Sequence, residues 1–263
     1  MLDGKWPDFI ICGVMKCGTS VTQYALGKHP QIKMARATGV RDNAVRSEMF
    51  FWNERRQRLG FDWYRSCMVC EDGQISGEKT ACYCDQAATF LLMKRYMPDL
   101  KLIYLMRDPV ERWWSHLCHL IKWEMLKWDQ RPMSIIWDRP RIFQAGIYAN
   151  HLNSLEAFYP AEQVFVTTNE QMAENTHRYL LSVQKFLGVK PVALPYFKKQ
   201  YVNWKQYWDE DADKVLLDWY APSVLMLEDR IPTDILMQWR TYRYAKGFED
   251  ESTTRIRKQL VIV

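Results

Sequence analysis

Residues 7–26 read Pro7-Asp-Phe-Ile-Ile-Cys-Gly-Val-Met-Lys-Cys-Gly-Thr-Ser-Val-Thr-Gln-Tyr-Ala-Leu26. Within this stretch, Phe9 to Cys12 form an apolar run that is too short for a helix, which predicts a buried strand. Gly13 and Gly18 bracket a tight loop, and the apolar spacing after the loop predicts a helix that ends before Pro30. A strand, a glycine loop and a helix N-terminus in this order can cradle an anion, because backbone N–H groups and the helix dipole point towards it.

The loop differs from the common phosphate-binding P-loop, in which a lysine directly follows the second glycine. Gly13 and Gly18 match the two glycines, but Thr19 occupies the lysine position, and the lysine of this loop is Lys16. Thr19 and Ser20 stand where the N-cap of the helix is expected. The pattern favours a P-loop-like phosphate loop of a different kind, and an ordinary strand-to-helix turn is the alternative.

The composition indicates a globular protein that suits anionic ligands but not nucleic acid. The 263 residues are 48% hydrophobic and 25% charged, and the net charge of +5 is too small and too evenly spread for nucleic-acid binding. We expect one α/β domain over residues 1–263. The 12 tryptophans and 14 tyrosines are numerous enough that some are expected to line a ligand cleft.

Two features of the sequence favour a cytoplasmic protein without membrane contact. No apolar run approaches the roughly 18 residues that span a bilayer, and residues 1–8 are too short and polar for a signal peptide. Seven cysteines, an odd number, favour a reducing compartment. Cys67, Cys70, Cys82 and Cys84 could ligate zinc, but their spacing matches no common zinc site, so no metal is expected. The oligomeric state is left open.

Strand-like and helix-like segments alternate along the chain. Three more strands are predicted, over Gln74–Thr80, Leu102–Met106 and Gln163–Thr168, and the clearest is Leu102–Met106, an apolar run with turn residues on both sides. This alternation predicts a three-layer α/β fold with a central parallel sheet flanked by helices. Ligands of such folds bind at the carboxyl ends of the strands, where the 13–20 loop, Lys79 and Arg107 fall.

Local patterns predict the starts of two helices and one loop. Asp108 before a proline predicts an N-cap, with Glu111 completing a capping box. Residues 127–142 show no clear periodicity, which predicts a surface loop or lid. Asn169 is expected to cap a single helix that ends at Gly188.

Four segments occur here in the same order as in a known family. They are Ile11-Cys-Gly-Val-Met-Lys-Cys-Gly-Thr-Ser20, Ser47-Glu-Met-Phe-Phe51, Gly77-Glu-Lys-Thr80 and Leu105-Met-Arg-Asp-Pro-Val-Glu-Arg-Trp-Trp-Ser-His116. In this combination the chain resembles the sulfotransferases that use 3'-phosphoadenosine 5'-phosphosulfate (PAPS), and most closely the domain of the heparan sulfate sulfotransferases. The likeness covers roughly residues 8–190, and four segments in order are far more specific than any one motif.

The resemblance implies PAPS as the sulfuryl donor and adenosine 3',5'-bisphosphate as the product. The donor loop would consist of Lys16, Cys17, Gly18, Thr19 and Ser20. Lys16 would neutralise charge on the leaving phosphate, Glu48 would take the proton of the acceptor hydroxyl, and Lys79 would hold the sulfuryl group or the acceptor. Arg107 and Ser115 would bind the 3'-phosphate. The family's late basic loop has no clear match, and its candidates are Lys198, Lys199, Arg255, Arg257 and Lys258.

The expected reaction is in-line O-sulfation of a small molecule, such as a natural product or an alkaloid, in small-molecule biosynthesis. A group of tryptophans could line a pocket for an aromatic or cationic acceptor: Trp113, Trp114, Trp123, Trp128 and Trp137. The alternative is that Trp113 and Trp114 are core and the others cover a lid. A carbohydrate O- or N-sulfotransferase is the alternative function, because sugars also stack on tryptophan.

Two other functions are alternatives to the sulfotransferase. A P-loop nucleotide kinase needs a lysine directly after Gly18 and a strand-end carboxylate for Mg²⁺, whereas Thr19 follows Gly18 and Asp108 resembles a helix cap. A nucleotide-binding protein without catalysis would keep the phosphate loop and lose the base, and the presence of Glu48 and Lys79 argues against it.

Overall fold

The computed structural model describes residues 5–37, 48–53, 57–126, 131–197 and 207–248. The chain divides into two compact units, Met1–Met106 with His151–Lys199 and Arg107–Asn150 with Gln200–Val263. No helix in the described ranges is both long and apolar enough to cross a bilayer. The expectation of one domain over residues 1–263 stays a prediction.

A five-stranded parallel sheet forms the centre of the first unit. Its strands are β1 (Phe9–Gly13), β2 (Ile32–Met34), β3 (Ile75–Lys79), β4 (Lys101–Met106) and β5 (Val164–Thr168). Their order across the sheet is β2-β3-β1-β4-β5, and all neighbouring pairs are parallel. The predicted α/β class, with a central parallel sheet, is confirmed. The prediction missed only β2, a three-residue strand inside a polar connection.

Strand β1 lies at the centre of this sheet, and it is the first strand predicted from the sequence. Residues 9–12 are completely buried, as expected for a strand covered on both faces. Ile11 pairs with Lys79 on β3 and with Ile103 on β4, so the carboxyl ends of these three strands lie at one edge. The loop that follows β1 therefore begins beside the end of β3.

Helices connect the strands and build the second unit. They are α1 (Thr19–Leu26), α2 (Gly60–Ser66), α3 (Ala87–Tyr96), α4 (Pro109–Lys122), α5 (Pro132–Asp138), α6 (Pro140–Gln144), α7 (Tyr148–Phe158), α8 (Asn169–Glu174), α9 (Thr176–Leu187), α10 (Glu210–Leu225), α11 (Thr233–Leu236) and α12 (Arg240–Ala245). Three short 3₁₀ helices lie at Gln57–Leu59, Tyr83–Asp85 and Ala161–Gln163.

The second unit has its own apolar core, built from α4, α5, α6 and α10. Val110, Trp113, Trp114 and Leu117 of α4 are completely buried in it. The predicted loop or lid over residues 127–142 is wrong for the part that the structure describes, because α5 and α6 occupy residues 132–144. Each of these helices begins with a proline and buries isoleucines in the core, a pattern too short to show a period.

The predicted helix from Asn169 to Gly188 consists of two helices, α8 and α9. The N-cap of α8 is Thr168, whose hydroxyl accepts from the Gln171 N–H. In return, the Gln171 side-chain oxygen accepts from the Thr168 N–H. Asn175 interrupts the run and caps α9 through its own side chain. Gly188 ends α9 at φ 79°, as predicted, since glycine adopts this left-handed conformation readily.

Candidate functional site

The loop after β1 has a constrained backbone. Gly18, at φ 102°, is the N-cap residue of α1, so the predicted N-cap at Thr19 or Ser20 is wrong and Thr19 is already helical. A Cβ at Gly18 would lie 2.5 Å from the Met172 Cε, which together with the positive φ requires glycine here. Lys16 also has a positive φ of 75°, a conformation uncommon for a side-chain-bearing residue.

Contacts from neighbouring strands and helices hold this loop in place. The Val14 N–H donates to the Leu105 carbonyl at 2.9 Å, and the Asn169 side-chain amide donates to the Cys17 carbonyl at 3.4 Å. Cys17 and Thr19 are buried, Lys16 is half-buried and Ser20 is exposed. Because Thr19 and Ser20 start α1, their N–H groups have no partner one turn earlier in the helix, as an anion cradle requires.

Glu48 and Lys79 form an ion pair between Glu48 Oε1 and Lys79 Nζ. The Lys79 side chain is 5% exposed and the Glu48 side chain is 16% exposed, so water reaches the pair only in part. Lys79 is the last residue of β3 and pairs with Ile11 of β1, two residues before Gly13. The structure thus brings together two of the predicted catalytic residues, on the unit that carries the loop.

Glu78, the residue before Lys79, is a functional candidate that the sequence prediction missed. Its side chain is completely buried, and its carboxylate accepts from the Tyr64 hydroxyl at 2.7 Å and from the Thr80 hydroxyl at 2.9 Å. Burial raises the pKa of Glu78 to about 7, although these hydrogen bonds and one with Tyr83 oppose the shift. The sequence held one signal for it, a glutamate inside a predicted strand. A charge buried in a strand needs hydrogen-bond partners, so its presence there suggests a specific role.

Two hydroxyls hold the segment that follows Glu48. Thr80 Oγ1 accepts from the N–H groups of Met49 and Phe50, at 3.0 and 3.2 Å. The Tyr83 hydroxyl oxygen accepts from the N–H groups of the next two residues, 51 and 52, at 2.9 and 3.3 Å. Phe50 has φ 50°, a conformation that persists in a bulky residue only where its surroundings fix it.

Arg107 lies in the second unit and is paired with a carboxylate. Its guanidinium donates to Glu111 Oε2 from Nη2 at 2.6 Å and from Nε at 3.2 Å. The Tyr148 hydroxyl donates to the Arg107 carbonyl at 2.7 Å, which fixes the backbone there. The Glu111 side chain, expected to complete a capping box, therefore binds the arginine. Ser115, the other predicted phosphate ligand, is half-buried on α4.

Asp108 caps α4 as predicted. Its Oδ1 accepts from the N–H groups of Val110 and Glu111, both at 3.0 Å. The carboxylate also accepts from the N–H and the hydroxyl of Thr241, at 2.8 and 3.1 Å. Burial raises the pKa of Asp108, and the positive charge of Arg240 opposes the shift. These bonds identify Asp108 as a structural residue of the second unit.

The predicted aromatic acceptor pocket is wrong for Trp113 and Trp114, which are completely buried in the core, as the alternative held. Trp123 and Trp137 are exposed, and Trp128 lies outside the described residues. A different aromatic group lies in the first unit, close in sequence to Glu48. It borders a cavity of about 220 Å³ lined by Phe51, Trp52, Gln57, Gly60, Phe61, Leu92 and Tyr96.

The seven cysteines form no disulfide and do not gather as the zinc alternative required. Among the described residues, one group of three metal-ligand side chains lies within mutual reach, and it consists of Cys84, Asp85 and His151, with ligand atoms within 4.8 Å. The other three cysteines of the alternative do not belong to it. The candidates for the late basic loop lie outside the described residues: Lys198, Lys199, Arg255, Arg257 and Lys258.

Comparisons with known proteins show the family of this chain. The family model described as the sulfotransferase domain matches residues 6–215. Human heparan sulfate glucosamine 3-O-sulfotransferase 3B1 is 31% identical over 194 residues, which are 71% of this chain and 47% of that protein. Human bifunctional heparan sulfate N-deacetylase/N-sulfotransferase 2 is 24% identical over 202 residues, which are 71% of this chain and 22% of that protein. The chain thus spans less than half the length of these curated relatives.

Solved structures show the same fold. A sulfotransferase from Alicyclobacillus acidocaldarius superposes with a TM-score of 0.68 at 23% identity, covering 86% of this chain and 95% of that one. A retinol dehydratase, crystallised with retinol and PAP, superposes with a TM-score of 0.51 at 15% identity, covering 87% of this chain and 85% of that one. Since the family model matches most of its length, this chain belongs to the sulfotransferase domain family.

Proposed function

We propose that this protein transfers a sulfuryl group from PAPS to an acceptor hydroxyl. The observation that carries the proposal is the Glu48–Lys79 ion pair at the end of β3, beside the glycine loop that follows β1. A protein that only bound nucleotide would need the loop but not a half-enclosed carboxylate next to it. The retinol dehydratase with a similar fold was crystallised with PAP, which supports PAPS as the donor here.

The loop residues suit the 5'-phosphosulfate end of the donor. The N–H groups of Thr19 and Ser20 at the start of α1 would bind the anion, and the buried Cys17 would contribute its backbone rather than its thiol. Lys16 would neutralise the charge that grows on the leaving phosphate oxygen. Gly18 allows the loop to turn into α1 at a positive φ.

Glu48 would act as the general base. As the acceptor oxygen forms its bond to sulfur, Glu48 would take the hydroxyl proton, and the electron pair of the breaking sulfur–oxygen bond would leave with the 5'-phosphate. Lys79 holds Oε1 of this carboxylate and would also bring a positive charge to the sulfuryl group. The pair thus orients the base and supplies charge at the same point.

Arg107 and Ser115 would bind the 3'-phosphate. A guanidinium offers two parallel donors to a phosphate, and the Tyr148 hydroxyl fixes the Arg107 backbone. Glu111 accepts from the same guanidinium, so the phosphate would share or displace this carboxylate. The Glu111 side chain is 40% exposed and can turn into water at small cost.

The first acceptor class is a carbohydrate that contains glucosamine. The matched relatives carry the names of heparan sulfate glucosamine 3-O-sulfotransferases, and the best of these matches reaches 31% identity. The second class is a small hydroxylated molecule. The aromatic cavity favours this class, because its volume of about 220 Å³ suits a single ring. Its first lining residue in the sequence, Phe51, follows Glu48 by three positions.

A transfer assay distinguishes these alternatives. The parent protein is incubated with PAPS and, separately, with a heparan-type oligosaccharide or a panel of aromatic alcohols and amines, and sulfated product is measured by mass spectrometry. We expect one class to be sulfated, with transfer by Glu48→Gln slower by about 10²–10⁴-fold. Binding of PAPS without transfer to any acceptor would contradict the proposal, and Mg²⁺-dependent phosphoryl transfer from ATP would favour the kinase.

A further inference from the structure

The catalytic proposal gives no role to Glu78, although it is the most deeply buried carboxylate near Glu48. Its side chain is fully buried on β3, between β1 and β2. Replacing it with an apolar residue would spare the fold the cost of burying a charge. A carboxylate that is buried next to residues 48–52, despite the free energy that burying a charge costs, is expected to have a function.

The hydrogen bonds around Glu78 have a direction that depends on its ionisation. Each hydroxyl has one hydrogen to donate and two lone pairs to accept with. The Thr80 hydroxyl donates to Glu78 and accepts two N–H groups of residues 49–52. The Tyr83 hydroxyl accepts from the other two N–H groups. An ionised Glu78 lets the Thr80 hydroxyl turn its lone pairs to Met49 and Phe50.

A protonated Glu78 would break this pattern. Its own O–H would need an acceptor, and a hydroxyl that accepted it would have to point its hydrogen elsewhere. For Thr80, the other positions are taken by the N–H groups of Met49 and Phe50, which are also donors. Two donors that face each other repel, so segment 49–52 would lose part of its anchor. Phe50, which depends on this anchor for its positive φ, would be the first to relax.

We propose that Glu78 is a positioning residue, whose ionised carboxylate orients the Thr80 hydroxyl so that it holds Met49 and Phe50 and keeps Glu48 against Lys79. The proposal rests on the proposed function for the role of Glu48, but the anchoring of residues 49–52 does not. Removing the hydrogen bonds that hold residues 49–52 would leave the loop after β1 intact. That loop is held by other contacts, from Leu105 and Asn169.

The groups that face Glu78 leave it as the one that titrates near neutral pH. Burial raises the pKa of Tyr64, which reaches it from α2, and of Tyr83, from the 3₁₀ helix. Burial also raises the pKa of the Cys12 thiol on β1, so these three groups stay neutral. Glu48 adds a negative charge that disfavours ionisation of Glu78, and Lys79 faces Glu48.

Hydrogen exchange of the free protein tests the anchor without reference to activity. We expect Glu78→Gln to speed exchange of the amides of Met49 and Phe50 at least tenfold relative to those of β4. The matched control is Tyr64→Phe, which removes another hydrogen bond to Glu78 but keeps the ring stacked on Phe51, with centroids 4.5 Å apart. Equal protection of Met49 and Phe50 in Glu78→Gln and the control would overturn the proposal.

Kinetics test the consequence for catalysis. Displacing a base by a fraction of an ångström to 1 Å can cost roughly 10–100-fold in rate, so we expect Glu78→Gln and Thr80→Val to lower kcat by that factor with little change in KM for PAPS. Thr80→Ser, which keeps the hydroxyl, should restore kcat. The rising limb of the kcat–pH profile near pH 7 should be lost in Glu78→Gln. An unchanged kcat in both variants would contradict the role, whereas an inactive parent would instead refute the proposed function.

Discussion

Two ion pairs of this protein join a cation to a carboxylate, and they differ in how they are held. The Glu48–Lys79 pair joins residues 31 positions apart, and both side chains are largely buried. The Arg107–Glu111 pair joins residues one helical turn apart, and the Glu111 side chain is 40% exposed. The Arg107 side chain is 7% exposed, so only the Glu111 carboxylate of the second pair reaches water. A partner in water can be exchanged for a ligand at small cost, whereas a pair buried on both sides is costly to break. The proposed catalytic role of the first pair depends on fixed geometry, and the proposed phosphate site of the second depends on exchange.

The largest effect is expected from breaking the buried pair. Lys79→Met should lower the free energy of unfolding by about 3 kcal/mol, because it removes the cation that lies on the partly buried Glu48 carboxylate. Adding Glu48→Gln should restore most of that loss, since the second change removes the charge that Lys79 balanced. Urea unfolding of the single and double variants measures both values. If the two losses simply add, the pair is not coupled and the comparison fails on this side.

The second-largest effect is expected in the pH dependence of stability. It tests Glu78, the buried carboxylate next to Lys79 of the first pair. The folded-state pKa of Glu78 lies above its ordinary value of 4.5, at about 7, so the folded state binds the proton more tightly than the unfolded state. Stability from this group is therefore present below pH 4.5 and is lost as the pH rises towards 7, by on the order of 3 kcal/mol.

Urea unfolding at several pH values between 4.5 and 7.5 measures this slope. We expect the difference in unfolding free energy between parent and Glu78→Gln to change across the window, because glutamine does not titrate. A parent and a Glu78→Gln variant with parallel pH curves would show that Glu78 keeps an ordinary pKa.

Removing the arginine of the second pair should affect ligand affinity more than stability. Each charge-assisted hydrogen bond to a phosphate is worth roughly 1.5–3 kcal/mol. Arg107→Ala should therefore weaken the binding of adenosine 3',5'-bisphosphate by at least about tenfold. Titration calorimetry measures this loss. Adenosine 5'-monophosphate, which lacks the 3'-phosphate, should bind parent and variant alike. Equal losses for both nucleotides would assign Arg107 another role.

The smallest effect is expected from removing the carboxylate of the Arg107–Glu111 pair. Glu111→Gln frees the Arg107 guanidinium from a partner worth roughly 0.2–1 kcal/mol, so adenosine 3',5'-bisphosphate should bind about two- to fivefold more tightly. The gain should fade at high salt, which screens exposed charges. Weaker binding in Glu111→Gln would indicate that Glu111 orients the arginine instead of competing with the phosphate.

Elements with strong local signals were predictable from the sequence. Strands β1 and β4 are apolar runs between turn residues, and the cap at Asp108 and the stop at Gly188 follow from local backbone chemistry. Short elements were missed because they lack a period: β2 has three residues, and α5 and α6 have seven and five. Their positions are decided by packing in the tertiary structure rather than by propensity.

The candidate site divides in the same way. Motif order and resemblance pointed to Lys16, Glu48 and Lys79, and the structure pairs the last two. The network of Glu78 could not be predicted, because Tyr64 lies 14 residues away and the 49–52 segment about 30. Contacts over such separations leave no periodic pattern in the sequence. The competition of Glu111 for Arg107 was missed for another reason, since a capping box was the local expectation.

The proposed role of Glu48 is tested most directly by Glu48→Gln. Turnover of PAPS with the best acceptor and affinity for adenosine 3',5'-bisphosphate are measured on the same preparations of parent and variant. General base catalysis is typically worth about 10²–10⁴-fold, so we expect kcat to fall by that factor while the nucleotide Kd stays unchanged. Unchanged turnover with intact nucleotide binding would contradict the account and move the base elsewhere, the next candidates being His116 and His119 on α4 and His151 on α7.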